Sequence, residues 1–427
     1  MPQKKGSIYS NYRSLIVLIL AGEVIFFLPF VLPRIFKPTL LEVFQISNTD
    51  LGLCFSVYGL VAILAYVFGG PIADKYQPKW LLSIALFLTG CGGLVLISYP
   101  SLFVLKLIYG YWGITTIFLF WASLMKSTRI VGGDQSQGTA FGVLDGGRGL
   151  VAALIATLGV SILAYMLPIQ LEQVTLEEKK DAFLLVILTF TFSCFIMAAV
   201  VFFGLQKLNE GEPLLRKRLS FKVFKEQLMK KEIVLQAIII LCAYSGYRVT
   251  DDFSLLAKDL LNYSDVEAAN MGTLALWLRP PIAIIAGVLA DKWKASRMIS
   301  VSFIFMLASG LTMGLAPSEF YSTAFITMII ASTCAGVYAL RGLYFAIMQE
   351  ARVPALVTGS AVGVASMIGY LPDIYMAPFM GVFLDAHAGL ARGHQLIFLV
   401  MAGFALVGLV VSQVFYKTCV AIRNQIS

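Results

Sequence analysis

Twelve long apolar segments constrain the fold of this chain more than any other feature of its sequence. Each approaches or exceeds the roughly 20 residues that an α-helix needs to cross a bilayer core. Of the 427 residues, 59% are hydrophobic and 13% are charged, whereas soluble proteins carry about 25% charged residues. We therefore predict an all-α membrane protein. The predicted spans are 14–36, 50–74, 79–98, 101–126, 136–166, 181–206, 232–257, 266–290, 297–316, 320–349, 355–384 and 395–416.

Several classes of protein are disfavoured by what the sequence lacks. The six cysteines are scattered through apolar segments without a CxxC pair, so neither a disulfide framework nor a zinc site is indicated. The two histidines, His387 and His394, lie in one late connection. We find no nucleophile–base pair, no metal-ligand set and no G-x-x-x-x-G-K-[ST] loop. No enzyme activity, ATP hydrolysis, cofactor or nucleic acid partner is therefore predicted.

The net charge of +8 comes from an uneven distribution of lysine and arginine. The connections on the side of the two termini hold 21 of these residues, eight of them in 207–231, and the opposite connections hold 6. Cytoplasmic connections carry such an excess of cations. We therefore predict that both termini and the segment 207–231 are cytoplasmic, in a multi-pass protein of the inner or plasma membrane. The segment 207–231 is also expected to lie near anionic lipid headgroups.

The two halves of the chain repeat each other at an offset of 217 residues. Ala73-Asp74-Lys75-Tyr76 aligns with Ala290-Asp291-Lys292-Trp293, and Ser47 aligns with Ser264. Internal repeats of this kind are typical of transporters that work by alternating access. We predict a six-helix half at 1–206, a basic linker at 207–231 and a second six-helix half at 232–427, in a protein that is expected to be a monomer.

The segment Gly70-Pro-Ile-Ala-Asp-Lys-Tyr-Gln-Pro-Lys79 resembles a signature of the major facilitator superfamily, G-x-x-x-D-R-x-G-R-R. A weaker copy occupies 287–297. Lysine replaces arginine at 75 and 79, and Gln77 and Pro78 also depart from the pattern. The resemblance covers the whole chain and implies the twelve-helix fold of that superfamily. It also implies a cytoplasmic gate that includes Asp74, Lys75, Lys79, Asp291, Lys292 and Arg297.

Within the superfamily, the chain is similar to bacterial inner-membrane permeases near the sugar-phosphate and organic-anion branches. Proton-driven drug exporters share a fifth-span motif, G-x-x-x-G-P-x-x-G-G. Here the fifth span has no proline, and it carries two charges, Asp145 and Arg148. This difference disfavours a multidrug antiporter.

Charged residues inside the predicted spans are the candidates for the transport site. A charge at the bilayer centre costs at least about 2.5 kcal/mol. A charged residue at that depth is therefore expected to have a function or a charged partner. Arg148, Arg248 and Arg279 are predicted to bind an anionic substrate, because a guanidinium can hold a carboxylate or phosphate with two parallel hydrogen bonds. Trp121 and Tyr370 are predicted to line the cavity. The carboxylates predicted to carry a coupling proton are Glu23, Asp145 and Asp373.

Alternatives to each interpretation remain open. Asp145 and Arg148 are three residues apart on a helix and can form a purely structural pair. Arg341 is interpreted as an anchor at a helix end. The function predicted first is proton-coupled symport of a small polar, anionic solute. An exporter or exchanger with the same fold is the second interpretation, and a membrane receptor without transport activity is the third.

Overall fold

The computed structural model describes residues 12–132, 137–167, 174–205, 229–351 and 358–424, which form helices joined by short connections. No strand occurs in these ranges. Eleven helices are long and apolar enough to cross a membrane, and a bent pair at the N-terminal end makes a twelfth span. The predicted all-α fold with up to twelve spans is therefore confirmed. Most of the predicted linker, up to residue 228, lies outside the described residues.

The twelve spans are numbered α1 to α12. The N-terminal half contains α1 (Tyr12–Val24, then Phe27–Val31 and Leu32–Ile35), α2 (Asn48–Lys75), α3 (Pro78–Leu96), α4 (Leu102–Gly113, Ile114–Trp121 and Ala122–Gly132), α5 (Gln137–Met166) and α6 (Leu176–Gly204). The C-terminal half contains α7 (Lys231–Val249, Thr250–Asp252 and Phe253–Leu261), α8 (Asp265–Trp293), α9 (Ala295–Leu315), α10 (Thr323–Leu343), α11 (Thr358–Gly369 and Pro372–Ala386) and α12 (Ala391–Asn424).

The two ends of this bundle need separate names. The termini face is the end at which α1 begins and α12 ends, and it also holds the turn between α2 and α3. The loop face is the opposite end, and it holds a short helix, Lys37–Phe44, that follows α1. The sequence predicts that the termini face is cytoplasmic.

Two of the predicted spans are interrupted beside a proline in the structure. The first span bends by 42° and contains a π-helical turn, Phe27–Val31, around Pro29. Proline lacks the N–H group that a regular helix needs, so it breaks the hydrogen-bond ladder. In α11 the helix ends at Gly369 and restarts at Pro372, which suits the first turn of a helix because its missing N–H group is not needed there. Both interruptions lie within predicted spans, 14–36 and 355–384, and the spans themselves are present in the structure.

The 217-residue repeat extends to local backbone conformation. Ser47 caps α2 through a reciprocal pair of hydrogen bonds with Asp50, and Ser264 caps α8 in the same way with Glu267. The residue that ends the preceding short helix is left-handed in both halves, with φ of 52° at Gln45 and 53° at Asn262. The repeated sequence therefore specifies repeated helix starts at the loop face.

The halves meet most closely where α2 packs against α11. A Cβ atom added at Gly52 would lie 2.5 Å from the backbone of Pro378, and one at Gly381 would lie 2.6 Å from the backbone nitrogen of Thr49. Small residues of this kind allow two membrane helices to approach backbone to backbone. The second main contact between the halves joins α5 to α8, where Trp277 donates a hydrogen bond to Thr157 at 3.0 Å.

Candidate functional site

A central cavity of about 110 Å³ lies between the two halves. Helices of both halves contribute to its wall. It collects side chains that are far apart in the sequence, and this is the arrangement expected of a transport site at a repeat interface. The predicted site residues that line it are Glu23, Trp121, Arg148, Arg248, Arg279, Tyr370 and Asp373.

Two arginines and two carboxylates form a cluster on one side of the cavity. Arg148 on α5 lies 3.0 Å from Glu23 on α1, measured from Nε to Oε2. Arg279 on α8 donates a hydrogen bond from Nη2 to Asp145 Oδ1 at 2.9 Å. The other two pairs, Arg148–Asp145 and Arg279–Glu23, are 3.9 Å apart. Each arginine is therefore shared between two carboxylates, and Arg279 ties the C-terminal half to the N-terminal half.

This cluster modifies two interpretations made from the sequence. Asp145 is closer to Arg279 than to Arg148, so a purely local Asp145–Arg148 pair does not describe the contact. Glu23 has no partner on its own helix but lies against Arg148, 125 positions later in the chain. The Asp145 side chain remains 39% exposed, whereas the other three charged groups of the cluster are largely buried.

A second cluster joins the cavity to the loop face. Asp251 lies 2.6 Å from Arg34 Nε and 2.9 Å from Arg248 Nη1, so one carboxylate serves an arginine from each half. Arg34 and Asp251 are repeat partners at the 217 offset. Arg248 is 1% exposed, and its Nε lies 3.9 Å from Asp373. The guanidinium of Arg248 also lies over the ring of Phe55, 4.6 Å from its centroid.

Arg341 is the residue that the sequence interpretation missed. It lies in the last turn of α10, as the helix-end interpretation required, but it also lines the cavity. Its guanidinium lies 4.1 Å from the ring centroid of Tyr247. Within the described part of the chain it has no carboxylate within 4 Å. The sequence feature that could have identified Arg341 as a site residue is its position inside an apolar span.

Aromatic side chains form much of the remaining wall. Trp121 lies beneath Arg148, with the guanidinium carbon 5.6 Å from the nearest Trp121 ring centroid. The hydroxyl groups of Tyr344 and Tyr370 are 3.1 Å apart, and the ring of Tyr244 meets that of Tyr370 edge to face at 4.8 Å. These groups can stack on a solute and offer it hydroxyl contacts.

The loop face is closed by polar contacts between the halves. Besides Arg34–Asp251, Lys37 on the N-terminal side contacts Asp252 on α7. Asp385 on α11 accepts hydrogen bonds from the backbone N–H groups of Asn48 (2.9 Å) and Thr49 (2.8 Å) at the start of α2. We call these three contacts, Arg34–Asp251, Lys37–Asp252 and Asp385–Asn48/Thr49, the loop-face gate.

A ring of four charges lies beside the loop-face gate. Two lysines, one from each half, each contact the same two carboxylates, which also come one from each half. The members are Glu42, Lys179, Lys258 and Asp265.

The residues of the major facilitator signature lie at the termini face. The side chains of Asp74, Lys75 and Asp291 lie outside the described residues. Lys79 lies over the rings of Trp80 and Phe202, at 5.7 Å and 5.2 Å from their centroids. Lys292 is exposed, and Arg297 donates a hydrogen bond to the Tyr416 hydroxyl at 3.3 Å. Of the six predicted gate residues, the structure therefore describes the side chains of three, which are Lys79, Lys292 and Arg297.

No bound metal is needed to explain this site. Within the described residues, no group of three or more histidine, cysteine, aspartate or glutamate side chains is arranged to hold a metal ion. The carboxylates of the cavity instead have arginine partners.

Two six-helix halves around a charged central cavity define a secondary transporter. The chain belongs to the Major Facilitator Superfamily, whose sequence profile matches residues 19–376. It is 25% identical over 391 residues to the inner membrane protein YqcE of Escherichia coli (strain K12), a match that covers 88% of each protein. It is 24% identical over 431 residues to the inner membrane protein YihN of the same strain, covering 98% of this chain and 96% of that protein.

A solved structure shows the same fold. It is that of a bacterial homologue of the human lysosomal transporter Spinster, in an inward-facing and unoccupied conformation. The TM-score is 0.71 at 16% identity, and the match covers 96% of this chain and 98% of that one. The family and fold predicted from the sequence are confirmed. The chain is therefore a membrane transporter for a small molecule and not an enzyme.

Proposed function

We propose that this protein carries a small organic anion across the inner membrane by proton-coupled symport. The observation that carries this proposal is the charge of the cavity and its adjoining ion pairs. Among the described residues, five arginines meet there with four carboxylate partners, and Arg341 is the arginine without one. An unmatched cation that is partly removed from water is costly, and a bound anion would reduce that cost. The arginines are Arg34, Arg148, Arg248, Arg279 and Arg341, and the carboxylates are Glu23, Asp145, Asp251 and Asp373.

Arg341 and Arg148 are the proposed contacts of the anionic group. Arg341 offers its donors without first leaving a carboxylate. Arg148 gains access to the anion when Glu23 releases it, and Arg248 and Arg279 supply the surrounding positive field. Trp121 and Tyr370 hold the uncharged part of the solute. Bidentate hydrogen bonds favour a carboxylate, phosphate or sulfonate over a neutral group.

Protonation of a carboxylate is the proposed link to a proton gradient. If Glu23 takes up a proton, its attraction for Arg148 falls, and that arginine becomes available to the substrate. Asp145, whose side chain is 39% exposed, and Asp373 are the other candidates for this role. A proton and an anion that enter together leave the charge of the site unchanged, which limits the cost of moving both through the low-dielectric membrane.

Alternating access requires two gates. The loop-face gate is closed in the structure. This closure supports an inward-facing state, in which the termini face is cytoplasmic. The proposed functional unit is a monomer. The proposed gate on that face consists of Asp74, Lys75, Lys79, Asp291, Lys292 and Arg297.

Uptake into proteoliposomes tests this function. We expect a panel of labelled carboxylates, phosphates and sulfonates to contain at least one solute that accumulates when the outside is made acidic. Accumulation should stop when a protonophore collapses the gradient. Accumulation of neutral or cationic solutes only would contradict the proposal.

Anion exchange is the second candidate, and the cavity offers a reason for it. Each of the four carboxylates lies within 4 Å of an arginine. Replacement of one anion by another at these arginines needs no protonation step. Uptake that depends on an anion inside the vesicle, and not on the pH gradient, would identify exchange.

A further inference from the structure

Tyr247 contacts two arginines that have different functions. The guanidinium carbon of Arg341, the proposed anion ligand, lies 4.1 Å from its ring centroid. The guanidinium carbon of Arg34 lies 4.8 Å from the same centroid. Arg34 belongs to the N-terminal half and to the loop-face gate, whereas Tyr247 and Arg341 belong to the C-terminal half. Tyr247 is 6% exposed, so protein atoms surround most of its ring.

The contact between Arg34 and Tyr247 therefore joins the two halves. An aromatic ring attracts a cation over its face through the negative charge of its π system. When two guanidinium groups share one ring, each draws its π electrons toward itself and so weakens the attraction that the ring offers the other. Arg341 therefore weakens the contact between Arg34 and Tyr247, and so it opposes closure of the loop-face gate. An anion bound to Arg341 would offset its charge and strengthen the contact of Arg34 with the ring.

We propose that Tyr247 is a positioning residue that couples occupation of Arg341 by an anion to closure of the loop-face gate. The coupling rests on the proposed function in one respect, because it requires that Arg341 receives the anion. With the anion bound, Arg34 settles more firmly against Tyr247 and Asp251, and the halves stay together at the loop face. In the empty cavity the same contacts are weaker, and the gate opens more often. A ligand shifts such an equilibrium only through contacts that differ between the two states, and the Arg34–Tyr247 contact is one of them.

A reporter cysteine tests this coupling without any substrate. Leu51 is 2% exposed and lines a small cavity beside Lys37 and Asp252, so Leu51→Cys should react with a water-soluble maleimide only when the loop-face gate opens. Five of the six native cysteines are buried and the sixth is half-buried, which keeps background labelling low. The measurement is the labelling rate of the full-length protein in detergent.

Arg341→Gln serves as the mimic of a neutralised arginine. In the protein with Tyr247 we expect it to slow labelling of the reporter by about threefold or more, the range that a desolvated cation–π contact allows. In the Tyr247→Leu background the same substitution should leave the rate unchanged. Tyr247→Phe retains the ring and should restore the effect. The matched control is Tyr244→Leu, since Tyr244 lies beside Tyr247 with ring centroids 5.4 Å apart, and the effect of Arg341→Gln should persist in it.

Two results would overturn the coupling. If Arg341→Gln slows labelling equally with and without the ring, the two arginines act through space and Tyr247 has only a structural role. If Arg341→Gln leaves the rate unchanged while Tyr247 is present, the arginines are not coupled. Gel filtration of every variant guards against misfolding, and Tyr247→Met supplies the background without a ring if Tyr247→Leu does not fold. Because no substrate is used, failure of anion uptake would overturn the proposed function alone.

Discussion

Removal of the Asp385 carboxylate should open the loop face. Asp385 accepts hydrogen bonds from the backbone N–H groups of Asn48 and Thr49 and from the Asn48 side chain, at 2.8 to 3.0 Å. These contacts cross from α11 to α2 and are lost when the halves separate. A capping side chain contributes about 1 kcal/mol, and a negative charge at a helix N-terminus adds about 0.3–1 kcal/mol. Asp385→Ala should therefore cost the closed state about 2 kcal/mol, or about 30-fold in the closed-to-open ratio.

Spin labels at two exposed loop-face positions provide the assay. Glu177 in the N-terminal half and Glu319 in the C-terminal half are suitable sites, and double electron–electron resonance would report the distance between them. Asp385→Ala should add or enlarge a long-distance population. Asp385→Asn keeps an oxygen that can accept a hydrogen bond from the start of α2, so its change in the distance distribution should be smaller. Equal distance distributions for the three proteins would refute the inference that this cap helps to hold the loop face closed.

Further predictions concern packing, transport and topology. Gly52→Val should drive α2 away from Pro378, since even one added carbon would lie 2.5 Å from its backbone, and cysteine accessibility at the loop face should rise. Arg148→Lys should weaken anion binding at least tenfold although the charge is kept, because lysine cannot make two parallel hydrogen bonds. A binding titration measures this affinity. Equal affinities of the wild type and the variant would mean that Arg148 is only a structural partner of Glu23. Reporter fusions after Ser427 should read as cytoplasmic, and an external reading would reverse the predicted orientation.

The sequence was sufficient for the parts of the fold that depend on local pattern. Apolar length predicts the spans, and the 217-residue offset aligns Ser47 with Ser264, which both begin capping boxes in the structure. The broken helices were not predicted, although their prolines are visible, because a proline can either kink a membrane helix or interrupt it. Neighbouring helices decide between these outcomes, and their positions are not local properties of the sequence.

The charged site could be predicted as a set of residues but not as a set of contacts. A midplane position singled out Glu23 and Arg148, yet their pairing joins α1 to α5 and follows from helix packing. Arg34 and Asp251 were visible as repeat partners. Their contact depends on how the two halves pack against each other, and the 217-residue offset does not specify that packing. Arg341 was assigned to a helix end because hydropathy alone does not separate a cavity wall from an anchor.

Ligand-induced stabilisation of the purified protein tests the anion site most directly. The protein would be heated with matched pairs of compounds, each a carboxylate or phosphate together with its neutral amide or alcohol. A ligand that binds the native state raises the unfolding temperature. We expect at least one anion to stabilise the wild type while its neutral partner does not, and we expect Arg341→Gln to lose that stabilisation. Stabilisation by neutral compounds, or an equal shift in Arg341→Gln, would contradict an anion site built on this arginine.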